Sequence, residues 1–390
     1  MALTSSLDVL PFTDEHGMVR EMVRSLVDSK IAPRARHIDE THEFPLEAMR
    51  ELAGLDLLGV YVPEEYGGAG LDYTTYYIVM EELARGCGST ALTYTAHTGL
   101  CITPLLAHGN EAQKKKYLPP LCSGERIGCF GLTEPQSGSD SGAAETRATR
   151  DADDWVLRGS KMWITNGDHA QTMVCVAKTD PAQPRGKGLS AFIVEMDWPG
   201  VSVPKIEDKL GLRGSSTAQI FLDDVRVPGE NLLGELDNGF GAFMKTLEAG
   251  RIAIAAMSCG LATAAYERAA RYSTQRETFG VPLLQHQTIG NYLADMATKL
   301  DASRLLTYRA SFMKDAGQAY GKEASMAKYF ASEAAMEICE RAIQIHGGYG
   351  YVREFEVERI WRDAKLCTIG EGTTEVQQMI IARAIGKELA

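Results

Sequence analysis

The spacing of apolar residues changes twice along this chain, and those changes limit its fold more than any single motif does. In the first third, apolar side chains recur every three or four positions, the period of a helix with one buried face. Met18, Met22, Val23, Leu26 and Val27 make the first such stripe, and Pro33 is predicted to stop it. Pro45 opens the next helix, with Ala48, Met49 and Leu52 on one face and Gly54 behind it. Further helices are predicted over 76–85 and 111–121. From about Ile127 to Glu235 the texture differs. Short β-branched and aromatic runs at 155–157, 162–165, 173–177, 191–194 and 219–222 alternate with Gly, Asp and Pro clusters. Such spacing predicts a small antiparallel sheet domain, not βαβ units, with 181–188 as a surface loop between two strands. From Gly239 the helical period returns in long segments. Met326, Phe330, Ala334 and Ile338 step by four, and Gly347-Gly348 end that helix. Long helices in series predict a bundle. The expected domains are helical at 1–126, β at 127–235 and a helical bundle at 236–390.

At 390 residues and 45% apolar content, the chain is long enough for two or three packed domains. A net charge of -12 argues against nucleic acid as a partner, which demands clustered Lys and Arg. The one basic run, Lys114-Lys115-Lys116, reads as a solvated helix face. The eight cysteines form no CxxC pair and have no His at zinc spacing, so no metal site is expected and a reduced, cytoplasmic compartment fits. The segment Met1-Ala2-Leu3-Thr4-Ser5-Ser6 lacks the basic start and apolar core of a signal peptide. A mitochondrial matrix location stays open if a transit peptide has been removed. No uninterrupted apolar run reaches membrane-spanning length, so no membrane partner is expected.

Four clusters carry chemistry. Glu371 lies between two glycines in Thr368-Ile369-Gly370-Glu371-Gly372-Thr373-Thr374-Glu375, where one predicted helix (357–365) ends and another (374–387) begins. A lone Glu is ordinarily solvated surface. Aimed into a cleft from a Gly-flanked turn, it would be desolvated, raised in pKa and useful as a base. The second cluster, Phe130-Gly131-Leu132-Thr133-Glu134-Pro135-Gln136-Ser137-Gly138-Ser139-Asp140, offers hydroxyls and free N–H groups for a heteroaromatic edge or a pyrophosphate; it could equally be a plain turn-rich loop. In the third, strand alternation puts Trp163 and Thr165 on one face, an indole for stacking beside a hydroxyl, although a strand Trp is more often core. The fourth joins Arg276-Glu277-Thr278-Phe279-Gly280 and Gln287 with Gln344-Ile345-His346-Gly347-Gly348. There Arg276 is a phosphate-type ligand, the paired glycines admit close backbone approach, and His346, with no carboxylate or metal partner at a sensible spacing, reads as structural. GxGxxG, GxxxxGK[ST] and HExxH are all absent.

In this order the clusters resemble the acyl-CoA dehydrogenases, over about residues 12–388. Leu132-Thr133-Glu134-Pro135 with Gly138-Ser139-Asp140, Trp163-Ile164-Thr165-Asn166, Leu210-Gly211-Leu212-Arg213-Gly214-Ser215, Arg276 with Phe279-Gly280, and Glu371-Gly372-Thr373 carry the resemblance. It implies a helical N-terminal domain, a middle antiparallel β-barrel-like domain and a C-terminal four-helix bundle, assembled as a homotetramer. It also implies FAD as cofactor. Phe130, Leu132, Thr133 and Ser139 would line the flavin and the CoA end, and Trp163 and Thr165 would flank the ring. Arg276, Phe279, Gln287, Gln344, Gly347 and Gly348 would contact FAD across a subunit interface, with Thr373 and Glu375 closing over it. Ser139, Glu248, Arg251, Gly370 and Gly372 would meet the acyl-CoA substrate.

The reaction implied is α,β-dehydrogenation of an acyl-CoA thioester to the trans-2-enoyl-CoA. Glu371 would take the α-proton, flavin N5 would accept the β-hydride, and an electron-transfer flavoprotein would receive the electrons. Some family members carry their base at the position of Gly250, which cannot serve here. Several straight-chain members carry Tyr before the base, where this chain has Gly370. The bare position either leaves room for a short branched, cyclic or aryl-bearing acyl group or merely ends a helix. Thr93-Tyr94-Thr95-Ala96-His97-Thr98-Gly99-Leu100, which resembles the isovaleryl-CoA branch, also fits a small branched group. The alternatives are an oxidase or a carrier-protein-linked dehydrogenase of the same fold, and, from another class, a non-catalytic flavin-binding protein.

Overall fold

The computed structural model describes residues 10–390, apart from the side chains of Phe240 and Ala242. The Met1–Ser6 reading lies outside the described residues. The N-terminal region is helical, with α1 (Asp14–Leu26), α2 (Ala35–Thr41), α3 (Leu46–Ala53), α4 (Tyr73–Gly86), α5 (Gly88–Tyr94), α6 (Thr103–His108) and α7 (Glu111–Cys122). Helix α1 starts at a capping box, in which the Thr13 hydroxyl accepts from the His16 N–H. Its buried stripe is His16, Val19, Val23 and Leu26, while Met18 is 70% exposed. The sequence reading merged two neighbouring stripes about 100° apart, and Met18 and Met22 belong to the outer one. Nor does Pro33 stop the helical path. It sits in the first turn of a short 3-10 segment, where its missing N–H costs nothing, and α2 follows at once. The basic run at 114–116 lies on the outer side of α7.

The middle region is an eight-stranded sheet made of β1 (Gly128–Gly131), β2 (Arg147–Asp151), β3 (Asp154–Thr165), β4 (Thr172–Lys178), β5 (Leu189–Glu195), β6 (Val201–Ile206), β7 (Thr217–Val227) and β8 (Leu232–Leu233). The strand order is β6-β7-β3-β2-β4-β5-β8, with β1 beside β4. Most pairs are antiparallel, as expected, but β1 and β2 both meet β4 in parallel. The runs at 155–157 and 162–165 are one strand, β3, interrupted by bulges. Strands β4 and β5 read as continuous apolar runs because both faces are covered. Met173, Cys175 and Phe192 pack into the sheet's own core, whereas Val174, Val176 and Ile193 join the large helical core.

The C-terminal region contains α8 (Gly239–Gln275), a two-residue hairpin of β9 (Glu277–Thr278) and β10 (Val281–Pro282), then α9 (Gln287–Asp315), α10 (Gly321–His346), α11 (Val357–Ala364) and α12 (Thr374–Leu389). By length and composition α8 could cross a membrane, which the sequence reading did not anticipate. Its most apolar 18 residues are 94% buried inside the molecule, as in a core helix. On α10 the buried stripe is Ala324, Ala327, Ala331, Ala335 and Ile338, and Phe330 of the predicted stripe is exposed. Small residues face α8 and let the two helices lie close.

The same closeness brings α4 onto α8. A Cβ on Gly260 of α8 would stand 2.2 Å from the Glu81 carbonyl oxygen and 2.7 Å from the Ala84 Cβ. Backbone cannot yield there as a flexible side chain would. Gly260→Ala should therefore cost about 1–3 kcal/mol by overpacking, read as a lower denaturation midpoint. An unchanged midpoint would show that the helices separate freely. Glu81 sits at this crossing, fully buried, and accepts from Arg304 Nε at 2.6 Å. Although burial pushes the Glu81 carboxyl up, Arg304 and Arg20 outweigh it and leave the group at about 2. The pair of charges ties α4 to α9 behind the site.

Candidate active site

Glu371 occupies a turn between a 3-10 segment (Lys365–Thr368) and α12, whose N-cap is Thr373. The residue with left-handed backbone is Glu371 itself, at φ 56, followed by Gly372 at φ 91. A glutamate in that region is uncommon and strained, and such strain persists where the surroundings impose it. The Glu371 side chain turns inward onto α8. Its Oε2 is sealed from solvent and has no hydrogen-bond partner among the described residues. Burial raises its carboxyl to about 7, against the opposing pull of Arg251 and Lys328. A carboxylate poised at that value, with a free lone pair, is suited to taking a proton near neutral pH.

Gly250 forms the floor beneath it. A Cβ on Gly250 would lie 2.7 Å from Glu371 Oε2 and 3.0 Å from its Cδ. The sequence set Gly250 aside as unable to act; the structure adds that its bareness makes room for the carboxylate. Arg251, next on α8, is buried with Nε unpartnered among the described residues, and burial lowers its pKa. Glu248, one turn earlier, packs on Gly321, where a Cβ would meet its Oε1 at 2.9 Å. Gly370 has ordinary backbone, and a Cβ there would touch Leu366 atoms no nearer than 3.6 Å. Neither the turn nor the packing demands glycine at 370. The helix-ending explanation is unnecessary, because Glu371 and Gly372 make the left-handed turn.

The second and third clusters meet where the loop after β1 reaches β3. Met162 N–H donates to the Thr133 carbonyl at 2.8 Å, and buried Lys161 Nζ donates to Glu134 Oε1 at 2.6 Å. The Thr133 loop is thereby tied to the Trp163 strand. Phe130 and Leu132 are buried, and Phe130 packs on Phe243 with centroids 5.3 Å apart. Thr133 is half-buried and Ser139 exposed. Strand alternation does not aim Trp163, contrary to expectation. Its φ is 60, in a bulge where β3 slips register against β7 between Lys161 and Ile164. The bulge turns the indole outward, 56% exposed, while Thr165 stays in the ladder opposite Thr217.

The fourth cluster opens a separate cavity of about 890 Å³, lined in part by Arg276, Tyr272, Gln344, Gly347, Gly348 and Tyr349. Phe130, Trp163, Thr165 and Glu371 are absent from that lining. Arg276 caps the end of α8 with its guanidinium 5.8 Å from the Tyr349 ring. Added Cβ atoms on Gly347 or Gly348 would meet nothing within 4 Å, so their backbone is open to a ligand. A guanidinium, a carboxamide and bare backbone around such a volume fit the phosphate half of a dinucleotide. Phe279 and Gln287 lie outside the lining. Phe279 is 97% exposed at the hairpin tip, with φ 53 there and 82 at Gly280. His346 also lines the cavity; its Nδ1–H donates to the Ala342 carbonyl at 2.7 Å and its ring stacks on Tyr272. Glu375 is exposed in the first turn of α12.

Two residues beside the base escaped the sequence reading. Lys328, on α10, donates Nζ to the Gly372 carbonyl at 2.8 Å. Gln377, on α12, donates Nε2 to the carbonyls of Glu371 and Gly372. No local pattern marks Lys328, which is 43 positions from Glu371 (371 minus 328). Gln377 looks like any polar helix residue until its burial is seen.

The sequence matches the descriptions Acyl-CoA dehydrogenase, N-terminal domain over residues 13–125, middle domain over 129–225 and C-terminal domain over 237–386. It is 46% identical over 375 residues to the probable acyl-CoA dehydrogenase YngJ of Bacillus subtilis, spanning 96% of this chain and 99% of that protein. It is 47% identical over 369 residues to the human mitochondrial short-chain specific acyl-CoA dehydrogenase, spanning 95% and 89%. Among solved structures, butyryl-CoA dehydrogenase from Megasphaera elsdenii superposes with a TM-score of 0.94 at 41% identity, covering 96% of this chain and 98% of that one. With likeness of this degree in all three parts, the chain belongs to the acyl-CoA dehydrogenase family of flavoprotein oxidoreductases.

Proposed function

We propose that this enzyme dehydrogenates a short acyl-CoA thioester, with a branched or cyclic acyl group favoured, to the trans-2-enoyl-CoA, with Glu371 as the base. The observation that carries the proposal is the half-buried Glu371, whose Oε2 is sealed from solvent without a partner among the described residues and whose carboxyl burial raises to about 7. The α-proton of a thioester is too weakly acidic for a free carboxylate, so the carbonyl must be polarised as the proton leaves. The Glu371 N–H makes no backbone hydrogen bond among the described residues and is the candidate donor. FAD, when bound, supplies the acceptor for the β-hydrogen, which leaves as hydride. Phe130, Leu132, Thr133, Trp163 and Thr165 would hold its ring, with Ser139 toward the CoA end and Thr373 and Glu375 above it. Arg276, Gln344, Gly347 and Gly348 would hold the phosphate half belonging to a neighbouring subunit, with Phe279 and Gln287 reaching across. Exposed apolar groups such as Phe279, Tyr351 and Leu389 support such contacts, and a homotetramer is the proposed assembly. Glu248 and Arg251 are assigned to the substrate side. An electron-transfer flavoprotein is the proposed oxidant of the reduced enzyme. The segments 1–126, 127–235 and 236–390 are the proposed domains.

The test is a panel of acyl-CoAs scored by flavin bleaching. Bleaching by short and branched thioesters is expected, and none by any thioester would refute the proposal. Gly370 makes the panel more informative. Because the backbone at 370 is ordinary and a Cβ there meets nothing nearer than 3.6 Å, Gly370→Tyr should fold and fill the space beside Glu371. Its kcat/KM should fall about 10- to 100-fold for branched or cyclic thioesters and change little for straight ones. Equal losses for both would deny Gly370 a part in selection.

A further inference from the structure

Glu371 and Gly372 are consecutive left-handed residues, and two buried side chains from outside the turn hold them. Lys328 Nζ donates to the Gly372 carbonyl at 2.8 Å. Gln377 Nε2 donates to the Glu371 carbonyl at 3.1 Å and the Gly372 carbonyl at 2.9 Å. The same Nε2 lies 2.7 Å from where a Cβ on Gly372 would stand, so the carboxamide is packed flat on the glycine. These bonds fix the two peptide planes that follow the base's Cα, and with them the direction of its side chain. We propose that Lys328 and Gln377 are positioning residues, a cation and a carboxamide that clamp the base loop so that the Glu371 carboxylate lies against Gly250. The proposal rests on Glu371 being the base.

The two clamps differ in charge, which separates their effects. Glu371 is faced by Arg251 from α8, Lys328 from α10 and Tyr76 from α4. Lys328 is itself faced by Cys367, Glu371, Glu333 and Arg251, and burial lowers its pKa to about 8. Around neutral pH it is therefore still mostly charged while Glu371 ionises. Removing that charge removes one of the two influences that hold the base down, so the carboxyl pKa must climb. Removing Gln377 loosens the loop and leaves the charge in place. A Lys328 that served packing alone would lower the rate without moving the pH profile.

The experiment uses FAD-loaded wild type, Lys328→Met, Lys328→Arg and Gln377→Leu. One readout is the pH profile of kcat/KM with the best thioester of the panel. The other is exchange of the α-hydrogens of 3,3-dimethylbutyryl-CoA in D2O, followed by NMR. That thioester has α-protons but no β-hydrogen to lose, so exchange reports the base loop without dehydrogenation. Lys328→Met should lose about 10- to 100-fold in both and move the acid limb to higher pH. Lys328→Arg keeps a cation and should restore the acid limb and most of the rate. Gln377→Leu should lose a similar factor with the limb unmoved. Exchange by Lys328→Met and Gln377→Leu within about twofold of wild type, when a misplaced base costs far more, would overturn the clamp. Should Lys328→Met not fold, an Arg variant with an unrescued rate would overturn it too. Wild type that neither exchanges nor bleaches would sink the reading of Glu371 itself, a result distinct from a clamp that fails in an active enzyme.

Discussion

Glu371→Gln is expected to abolish flavin bleaching by every acyl-CoA, lowering kcat by about 10³- to 10⁴-fold while FAD stays bound. Gln keeps the shape, the left-handed backbone and all three bonds from Lys328 and Gln377, and removes only the basic oxygen. Glu371→Asp keeps the base but draws it back by about one C–C bond, roughly 1.5 Å. It should retain a residue of activity, down about 100-fold. The pH profile supplies an independent check. Only the ionised carboxylate takes a proton, and burial has raised its pKa to about 7. The kcat/KM of the wild type should therefore rise with pH through about 7 and then level off, since this parameter reports the free enzyme. A limb near 4.5, the ordinary carboxyl value, would mean that the active carboxylate is a different, solvated one. Stability should move the other way. A carboxyl whose folded pKa exceeds its unfolded value opposes folding most strongly above pH 7 and less as pH falls through that value. At pH 8 the Gln variant should be no less stable than wild type, so lost activity could not be ascribed to unfolding. Turnover within tenfold of wild type would remove Glu371 as the base.

How much of this was legible beforehand depended on the range of the physics involved. Helix or strand is written in local spacing, so the helical, β and helical regions were visible, as was the turn that carries Glu371. Which stripe of a helix faces inward is decided by its neighbours. Met18, Met22 and Phe330 were misjudged because their spacing suits two faces equally. Parallel entry of β1 and β2 onto β4 leaves no local trace, since pairing is a long-range choice. Trp163 was found as a residue but not as a geometry, because a bulge is invisible in a run that looks like a plain strand. The turn carrying Glu371 was singled out by its flanking glycines, and the structure places the Glu371 side chain against α8 with Oε2 sealed. The side chains bonded to that turn were not singled out, because Lys328 and Gln377 differ from surface residues only in being buried. Site residues on turns were thus readable, and those that hold the turns from distant helices were not.

Gly250 tests the geometry of the base from the opposite side. The added methyl of Gly250→Ala would stand 2.7 Å from Glu371 Oε2, closer than a carbon and an oxygen tolerate. Helix α8 is buried without a break over 249–265 and cannot retreat there, so the carboxylate must move. A displacement near 1 Å in a base should cost about 100-fold in kcat. Because the far end of a side chain can swing, folding should change little. Full activity in Gly250→Ala would mean that the carboxylate works from some other position. The same contact makes a bolder prediction. A Cβ at 250 points at the place where the Glu371 carboxylate now lies, so a Glu there would reach the same cleft from α8. Glu371→Gly alone should be inactive, and the double variant Gly250→Glu, Glu371→Gly should recover part of the rate. Glu371→Gly also empties the space that the new side chain needs, so the two changes must be made together. Gly250→Glu alone would press two carboxylates into one site, where like charges raise the pKa of at least one. Its pH limb should therefore lie above that of the wild type. Recovery in the double variant over Glu371→Gly alone would show that the cleft, more than the segment of chain that serves it, fixes where the proton is taken.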